Sequence, residues 1–397
     1  MLGSIANPSS SLLFAMLATL PPITPVVLQM EKNHEPPEPQ ELVEETPEAR
    51  SIVTPTPVEV RQSSSSSGKL RQLQRLYGHA DEQKTIRDAY QRAIQSTDEA
   101  NLVVVKGGAG SGKTAVAQSL QEHVIEDGGF FITWKFYHGL QIGESDGFVD
   151  AFTSLTNQIL AAGEEVLREI RTSLQALGKI EFAIILDLVP CLEPIMGPKQ
   201  VEFKANSVET SGRQMEAFKN VMRAICTKDR PLVIFFDDVQ FSDTCSLSLL
   251  EALVSDAKNE GVMYMAAMGP ERPISDIDKL MQGFSDAAVH MTTVELVALN
   301  EETTNMMVAD ILHVDREISA PMTAFLHHYT QGNALFLIEL LNLMYANGVL
   351  TFEEQTRTWN YDEDKIDCVY DCKDFRSLIR SKISRLSQPV KEMLKGM

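Results

Sequence analysis

The sequence predicts an α/β fold built around a parallel β-sheet, and three observations lead to it. A mostly β-branched apolar run at residues 102–105 is followed at once by closely spaced glycines and a helix-forming segment. Residues 231–238 read PLVIFFDD, and such an apolar run is typical of a buried parallel strand. From residue 100 to residue 296 strand-like runs alternate with helical segments, which predicts a parallel sheet with right-handed crossovers.

The remaining elements follow from the hydrophobic period. Residues 81–96 carry apolar side chains at helical spacing, and residues 128–134 (GGFFITW) read as the second strand. The expected later helices of the core lie at 148–179, 180–197, 215–226 and 245–257, and the expected fourth and fifth strands at 262–268 and 290–296. From residue 300 the period is helical, residues 348–361 read as a hairpin, and residues 375–386 as a last helix.

The glycine-rich stretch carries the first functional prediction. Residues 107–114 read GGAGSGKT and fit the P-loop pattern G-x-x-x-x-G-K-[ST]. Glycines let backbone N–H groups surround polyphosphate oxygens, and the following helix directs its positive dipole end at the same oxygens. In this pattern Lys113 reaches the β- and γ-phosphates and the Thr114 hydroxyl ligates Mg²⁺. The predicted nucleotide-binding residues of the loop are Gly107, Gly108, Ala109, Gly110, Ser111, Gly112, Lys113 and Thr114.

Two carboxylates at the end of the strand at 231–238 complete the predicted site. In open α/β sheets ligands lie at the carboxyl ends of the strands. We therefore expect Asp237 to hold Mg²⁺ through water and Asp238 to orient or deprotonate the water that attacks the γ-phosphate. Lys113 and Asp238 are then the predicted catalytic residues, and Thr114 and Asp237 the predicted metal ligands. The alternative use of a strand-end aspartate pair is to cap a helix.

Composition narrows the function classes. With 397 residues and 44% hydrophobic content the chain can form two or three domains. A net charge of −20 argues against nucleic-acid binding by the whole chain. The apolar segment at residues 11–20 is shorter than the ~20 residues of a membrane span, so no span is expected.

Cysteine usage predicts a reducing compartment. The five cysteines are few, odd in number and scattered, which is typical of reduced intracellular thiols. We expect a cytoplasmic location, with the nucleus as the alternative. Cys368 and Cys372 lie four positions apart in an acidic stretch, where two ordinary thiols are favoured over a metal or redox pair.

The order of these segments resembles that of a known family. Short motifs match at residues 76–82 (LYGHADE, hhGRxxE), 135–136 (KF, GKFD), 188–197 (LVPCLEPIMG, LxPxLxxIIG), 237–243 (DDVQFSD, DDLQWAD) and 330–336 (TQGNALF, TxGNPFF). With the P-loop they resemble the Orc1-like AAA ATPase domain of the STAND class of P-loop NTPases, which occurs in multidomain signalling proteins. The resemblance extends over about residues 74–397.

The resemblance implies a domain organisation. It implies a three-layer P-loop NTPase core with a five-stranded parallel sheet in the order 5-1-4-3-2, then a helical lid and a winged-helix domain. The expected divisions are an acidic, Pro/Ser-rich disordered tail at 1–69, the core at 70–297, the lid at 298–347, and the hairpin with the start of the winged helix at 348–397.

The resemblance also implies ligands and partners. ATP or ADP with Mg²⁺ is the implied cofactor pair, and protein partners or C-terminal sensor and effector domains outside this chain are the implied partners. The nucleotide-binding residues added by the resemblance are Tyr77, Gly78, His79, Gly332 and Asn333.

Three departures from the family pattern concern hydrolysis. His79 stands where the family has an arginine, Gly269 lies where a γ-phosphate-sensing arginine is expected, and Ala334 replaces a proline. Arg272, three positions after Gly269, is a candidate substitute for that arginine. We expect an ATP-hydrolysing switch; the alternatives are a nucleotide-binding scaffold without turnover, a DNA-loading ATPase and a small-molecule kinase.

Overall fold

The computed structural model describes most of the predicted core and lid. The described residues are 58–59, 70, 75–95, 100–137, 146–199, 209–256, 260–269, 275–286, 289–356 and 358–362. Several predictions lie outside them, namely most of the tail at 1–69, Arg272, the cysteines Cys368 and Cys372, and the helix at 375–386. The division into domains stays a prediction.

Five parallel strands form the central sheet. They are β2 (Ala100–Lys106), β3 (Phe130–Lys135), β4 (Leu232–Asp237), β5 (Val262–Met268) and β6 (Val289–Glu295). Their spatial order is β3-β4-β5-β2-β6, and every pairing is parallel. In chain order this is 2-3-4-1-5, which read from the other edge is the predicted 5-1-4-3-2, so the predicted sheet is confirmed.

Helices cover both faces of the sheet. The first face packs against α1 (Ala80–Gln95), α2 (Lys113–Gln118) and α3 (Gln121–Glu126). The second packs against α4 (Asp146–Ala161), α5 (Glu164–Gln175), α6 (Lys179–Leu188), α7 (Glu193–Met196), α8 (Glu209–Ile225), α9 (Thr244–Val254) and α10 (Ser275–Asp286). Side chains alternate between the faces, so that Leu102 and Val104 join one core while Val103 and Val105 join the other. The result is the predicted three-layer core.

Three helices and a hairpin follow the core. The helices are α11 (Glu301–Leu312), α12 (Arg316–Thr330) and α13 (Ala334–Ala346), and the hairpin strands are β7 (Leu350–Glu353) and β8 (Thr358–Tyr361). They share a hydrophobic cluster that also includes Tyr77. The indole N–H of Trp359 donates to the carbonyl of Leu312 at 2.8 Å, which fastens the hairpin to α11.

A two-residue strand lies within the segment that the sequence assigns to the tail. This strand, β1 (Val58–Glu59), pairs antiparallel with Thr358 and Trp359 of β8. Among the helices that the structure describes, none is both long and apolar enough to cross a membrane. Within the same residues no group of three or more histidine, cysteine, aspartate or glutamate side chains is arranged to hold a metal ion.

Candidate nucleotide-binding site

The P-loop connects β2 to α2, as the sequence predicts. Lys113 begins α2, and its buried amine donates to the carbonyls of Gly107 and Gly108 at 2.9 Å each. A Cβ on Gly107 would lie 2.5 Å from the Ser111 hydroxyl oxygen, so this close approach requires glycine. The Ser111 hydroxyl is buried and has no hydrogen-bond partner among the described residues. A cradle lined by an unsatisfied polar atom fits an oxygen-rich ligand such as a phosphate.

The two predicted metal ligands are in contact. Thr114 starts the helix and Asp237 ends β4, and the Thr114 hydroxyl lies 3.1 Å from each carboxylate oxygen of Asp237. The Asp237 residue is 1% exposed. Hydroxyl and carboxylate oxygens are the ligands that Mg²⁺ prefers, so this pair fits the metal that the sequence predicts.

Asp238 follows directly and is held on both carboxylate oxygens. The Lys135 amine lies 2.8 Å from Asp238 Oδ2, and Gln240 Nε2 donates to Asp238 Oδ1 at 3.0 Å. The backbone of Asp238 is left-handed, with φ 60° and ψ 45°, a conformation that aspartate adopts more readily than most residues. The backbone N–H of Gly269 donates to Gln240 Oε1 at 3.1 Å, so the predicted arginine position contributes a main-chain contact instead.

Lys135 joins the two carboxylates. Its amine lies 2.8 Å from Asp237 Oδ2 and the same distance from Asp238 Oδ2. Burial lowers the pKa of Lys135, but the hydrogen bonds and charges of both aspartates outweigh it, so the pKa of Lys135 is raised overall. The ammonium therefore stays charged beside the two carboxylates.

The segment predicted to form the lid contacts the P-loop through the start of α13. Asn333 Nδ2 donates to the carbonyl of Ala109 at 2.8 Å, and the backbone N–H of Leu335 donates to the carbonyl of Gly110 at 3.3 Å. Gly110 has φ +77°, and a Cβ there would lie 2.5 Å from Asn333 Oδ1. Gly332 has φ +72° and accepts a hydrogen bond from the Leu299 backbone at 3.0 Å. Residues that the sequence assigns to nucleotide binding in the P-loop and at the start of α13 are thus directly hydrogen-bonded to one another.

The segment before α1 forms a third wall. The Tyr77 hydroxyl donates to Asp310 Oδ2 at 2.7 Å, and burial raises the pKa of Tyr77. Gly78 has φ +70°, and a Cβ there would lie 3.0 Å from Leu299 Cδ2. His79 also has a left-handed backbone, and its buried Nε2 has no hydrogen-bond partner among the described residues. His79 thus offers an unsatisfied ring nitrogen at the position where the family has an arginine.

A cavity of about 860 Å³ lies between these walls. It is lined by the P-loop, the segment before α1, the strand-end Asp238 and the lid. Lining residues from the prediction are Tyr77, His79, Ala109, Gly110, Ser111, Gly112, Lys113, Thr114 and Asp238. This volume is in the range of small-molecule binding sites.

Sequence reasoning did not find the roles of two side chains. Lys135 appeared only as part of a family motif, and Gln240 only as one letter of another. Both side chains contact residues that are distant in the chain. Lys135 pairs in register with Asp237 on the neighbouring strand β4, and Gln240 accepts a hydrogen bond from the Gly269 N–H after β5. Strand order predicts that β3 and β4 are neighbours, but the register that aligns these two residues follows from packing of the whole sheet.

The AAA ATPase domain family has a model that matches residues 75–265 of the chain. This match indicates a nucleotide-binding P-loop module. The matched segment contains the P-loop, Lys135, Asp237, Asp238 and Gln240.

Two curated relatives are signalling proteins by name. The peroxide stress-activated histidine kinase mak2 of Schizosaccharomyces pombe is 20% identical over 66% of this chain. The hybrid signal transduction histidine kinase G of Dictyostelium discoideum is 22% identical over 73%. The chain spans only 12% and 10% of the length of these two relatives.

Two solved structures are also similar. Cdc6p from Pyrobaculum aerophilum is 12% identical, with 72% of this chain and 65% of that chain covered and a TM-score of 0.41. The ORC2 protein of Aeropyrum pernix is 11% identical, with 81% and 74% covered and a TM-score of 0.44. The segment that carries the P-loop and both strand-end aspartates lies within residues 75–265, which the AAA ATPase domain model matches.

Proposed function

We propose that this chain binds ATP with Mg²⁺ in the cavity between the P-loop and the lid and acts as a nucleotide-dependent switch, with slow hydrolysis resetting it. The observation that carries the proposal is the direct bonding of the lid to the P-loop at Asn333 and Ala109. A nucleotide held by the P-loop contacts the same loop to which Asn333 of the lid is bonded. The presence or absence of its γ-phosphate can therefore shift the equilibrium between open and closed positions of the lid.

Each residue has a chemical task in this proposal. The P-loop amides and Lys113 bind the phosphates, while Thr114 and Asp237 hold the metal. Bound Mg²⁺ supplies charge neutralisation at the phosphate oxygens. Asp238 orients the attacking water and accepts its proton, and the ammonium of Lys135, 2.8 Å from Asp238 Oδ2, holds this carboxylate in place. Glycine at position 269, where the resemblance implies an arginine, favours slow turnover.

The signalling role is proposed from the relatives. Both curated relatives carry histidine kinase in their names, and this chain spans about a tenth of their length. We propose that the nucleotide module regulates further domains of a longer chain or bound protein partners. A nucleotide-binding scaffold without turnover is the second candidate, favoured by Gly269 and Ala334 at family positions for arginine and proline.

Nucleotide titration tests the site. We expect Lys113→Ala to lose ADP and ATP binding by at least about tenfold, because charge-assisted phosphate contacts contribute roughly 1.5–3 kcal/mol. Lys84→Ala, an exposed lysine on α1, is the matched control and should bind as the wild type does. Wild-type affinity in the Lys113→Ala variant would rule this site out.

Phosphate release on the same sample separates the two candidates. The switch requires measurable ATP turnover by the wild-type protein, and Asp238→Asn should bind ATP normally but hydrolyse it roughly a hundredfold more slowly. Binding without any phosphate release by the wild type would favour the scaffold.

A further inference from the structure

Lys135 is the only cationic side chain that the described ion pairs assign to the two strand-end carboxylates. Its Nζ lies 2.8 Å from Asp237 Oδ2 and 2.8 Å from Asp238 Oδ2. The parallel register of β3 and β4 sets Lys135 opposite Asp237. Asp238 has a left-handed backbone, and its carboxylate contacts the same amine. One ammonium group therefore forms ion pairs with both carboxylates.

Burial of the two carboxylates strengthens the charge interactions at this position. The side chain of Asp237 is 2% exposed, and that of Asp238 is 26% exposed. Two neighbouring carboxylates with this much burial repel each other strongly unless a cation lies between them. A bound polyphosphate at the P-loop would add further negative charge, because Thr114 of the loop already touches Asp237. Some positive charge is therefore needed at this position whenever nucleotide is bound.

Lys135 and a metal ion would compete for the same acceptor. The metal ligands that the site offers are Thr114 and Asp237, and Asp237 Oδ2 already accepts from both the Thr114 hydroxyl and the Lys135 amine. Two cations at one carboxylate repel each other, so a metal on Asp237 disfavours the Lys135 contact with the same residue. The contact with Asp238 does not involve a proposed metal ligand.

We propose that Lys135 is an internal cation that substitutes for the metal, so that the site holds a nucleoside diphosphate or triphosphate without Mg²⁺. Metal binding at Asp237 then requires the ion pair between Lys135 and Asp237 to be given up, while the pair with Asp238 is kept. This inference rests on the proposed nucleotide site. It assigns to Lys135 a role in positioning and charge that the P-loop motif alone does not contain.

The test measures how strongly ADP binding depends on the metal. Calorimetric titrations with ADP in saturating Mg²⁺ and in EDTA are compared for the full chain and for Lys135→Met, which keeps much of the side-chain volume and removes the charge. We expect the wild type to bind ADP in the two conditions with affinities within about tenfold of each other. In Lys135→Met, ADP binding in EDTA should weaken at least about tenfold relative to wild type, while half-saturation requires less Mg²⁺.

Control variants separate charge from packing. Lys135→Arg keeps the charge and should retain binding in EDTA, whereas Lys84→Met removes an exposed lysine on α1 and should behave as wild type. Circular dichroism verifies that each variant is folded. If Lys135→Met does not fold, the comparison of the two conditions in the wild type is the test, because ADP binding that is more than about tenfold weaker in EDTA contradicts the proposal.

The outcomes distinguish this inference from the function it rests on. Equal dependence on Mg²⁺ in wild type and folded Lys135→Met overturns the role of Lys135 and leaves the nucleotide site intact. Failure of the wild type to bind ADP under both conditions overturns the nucleotide site and this inference with it.

Discussion

The side-chain amide of Asn333 donates from Nδ2 to the carbonyl of Ala109 at 2.8 Å, and its Oδ1 accepts the backbone N–H of Phe336 at 3.0 Å. A single side chain therefore caps α13 of the lid and holds the P-loop. Because both bonds come from one planar amide, a shift of the loop changes the geometry of the helix cap. Asn333 therefore connects the P-loop directly to the first turn of α13.

Replacing Asn333 by alanine tests whether its bond to the P-loop affects nucleotide binding in addition to its role as a helix cap. Asn333→Ala removes the N-cap of α13 and the bond to Ala109, so we expect a loss of about 1 kcal/mol in the free energy of unfolding and weaker nucleotide binding. Asn300→Ala is the matched control, since Asn300 caps α11 through the Thr303 N–H. The control should lose similar stability in urea unfolding but keep wild-type ADP affinity. Equal ADP affinity in both variants would contradict the coupling.

Gly332 should not tolerate a side chain. Its φ is +72°, and a Cβ would lie 2.0 Å from the backbone oxygen of Leu299. We expect Gly332→Ala to lower the free energy of unfolding by at least about 2 kcal/mol, because both strain and a backbone clash are introduced. Gly212→Ala on α8 is the control: there a Cβ meets open space, and helix propensity predicts a gain of about 0.5–1 kcal/mol. Urea unfolding of both variants checks the pair, and a neutral Gly332→Ala would contradict this view of the lid corner.

Gln240 should matter for turnover more than for binding. It donates to Asp238 Oδ1 and accepts from the Gly269 N–H, and so fixes the carboxylate that we propose orients the attacking water. We expect Gln240→Ala to lower ATP hydrolysis by about tenfold or more while ADP affinity changes by less than about threefold.

A charge change at the same position sharpens the test of Gln240. Gln240→Glu keeps an acceptor for Gly269 but loses the donor to Asp238 Oδ1, and its like charge repels the Asp238 carboxylate from its position, so hydrolysis should fall further. Gln91→Ala, an exposed residue of α1, is the control for phosphate-release assays. Hydrolysis at the wild-type rate in Gln240→Ala would show that Asp238 does not need this support.

The parts of the fold that sequence predicts well depend on local patterns. The apolar strand at 102–105, the glycines after it and the acid pair at Asp237 and Asp238 each carry their signal within a few residues. The strand order came from the family resemblance, and the pairings of the sheet confirm it.

The contacts that complete the site depend on long-range register. Lys135 meets Asp237 across 102 positions of the chain, and Asn333 meets Ala109 across 224. Composition and hydrophobic period predict which segments form apolar strands, but they do not predict the register between neighbouring strands. The pattern KF at 135–136 could have suggested Lys135, since a lysine at a strand's carboxyl end points to the same edge as the acids.

The thiol of Cys226 gives a prediction of pH dependence. Burial raises the pKa of Cys226 from 9.0 to about 12, and the charge of Arg230 only partly opposes this. Since the unfolded chain then loses the thiol proton before the folded chain does, the free energy of unfolding falls as pH rises from about 9 toward 12. This contribution amounts to about 2 kcal/mol by pH 10.5, at 1.36 kcal/mol for each pKa unit. Urea unfolding over this pH range should therefore show a smaller alkaline loss in Cys226→Ala than in the wild type. Parallel losses in the two proteins would contradict the raised pKa.

At about pH 8 the same burial predicts that a thiol reagent labels native Cys226 far more slowly than it labels the urea-unfolded chain, because little thiolate forms.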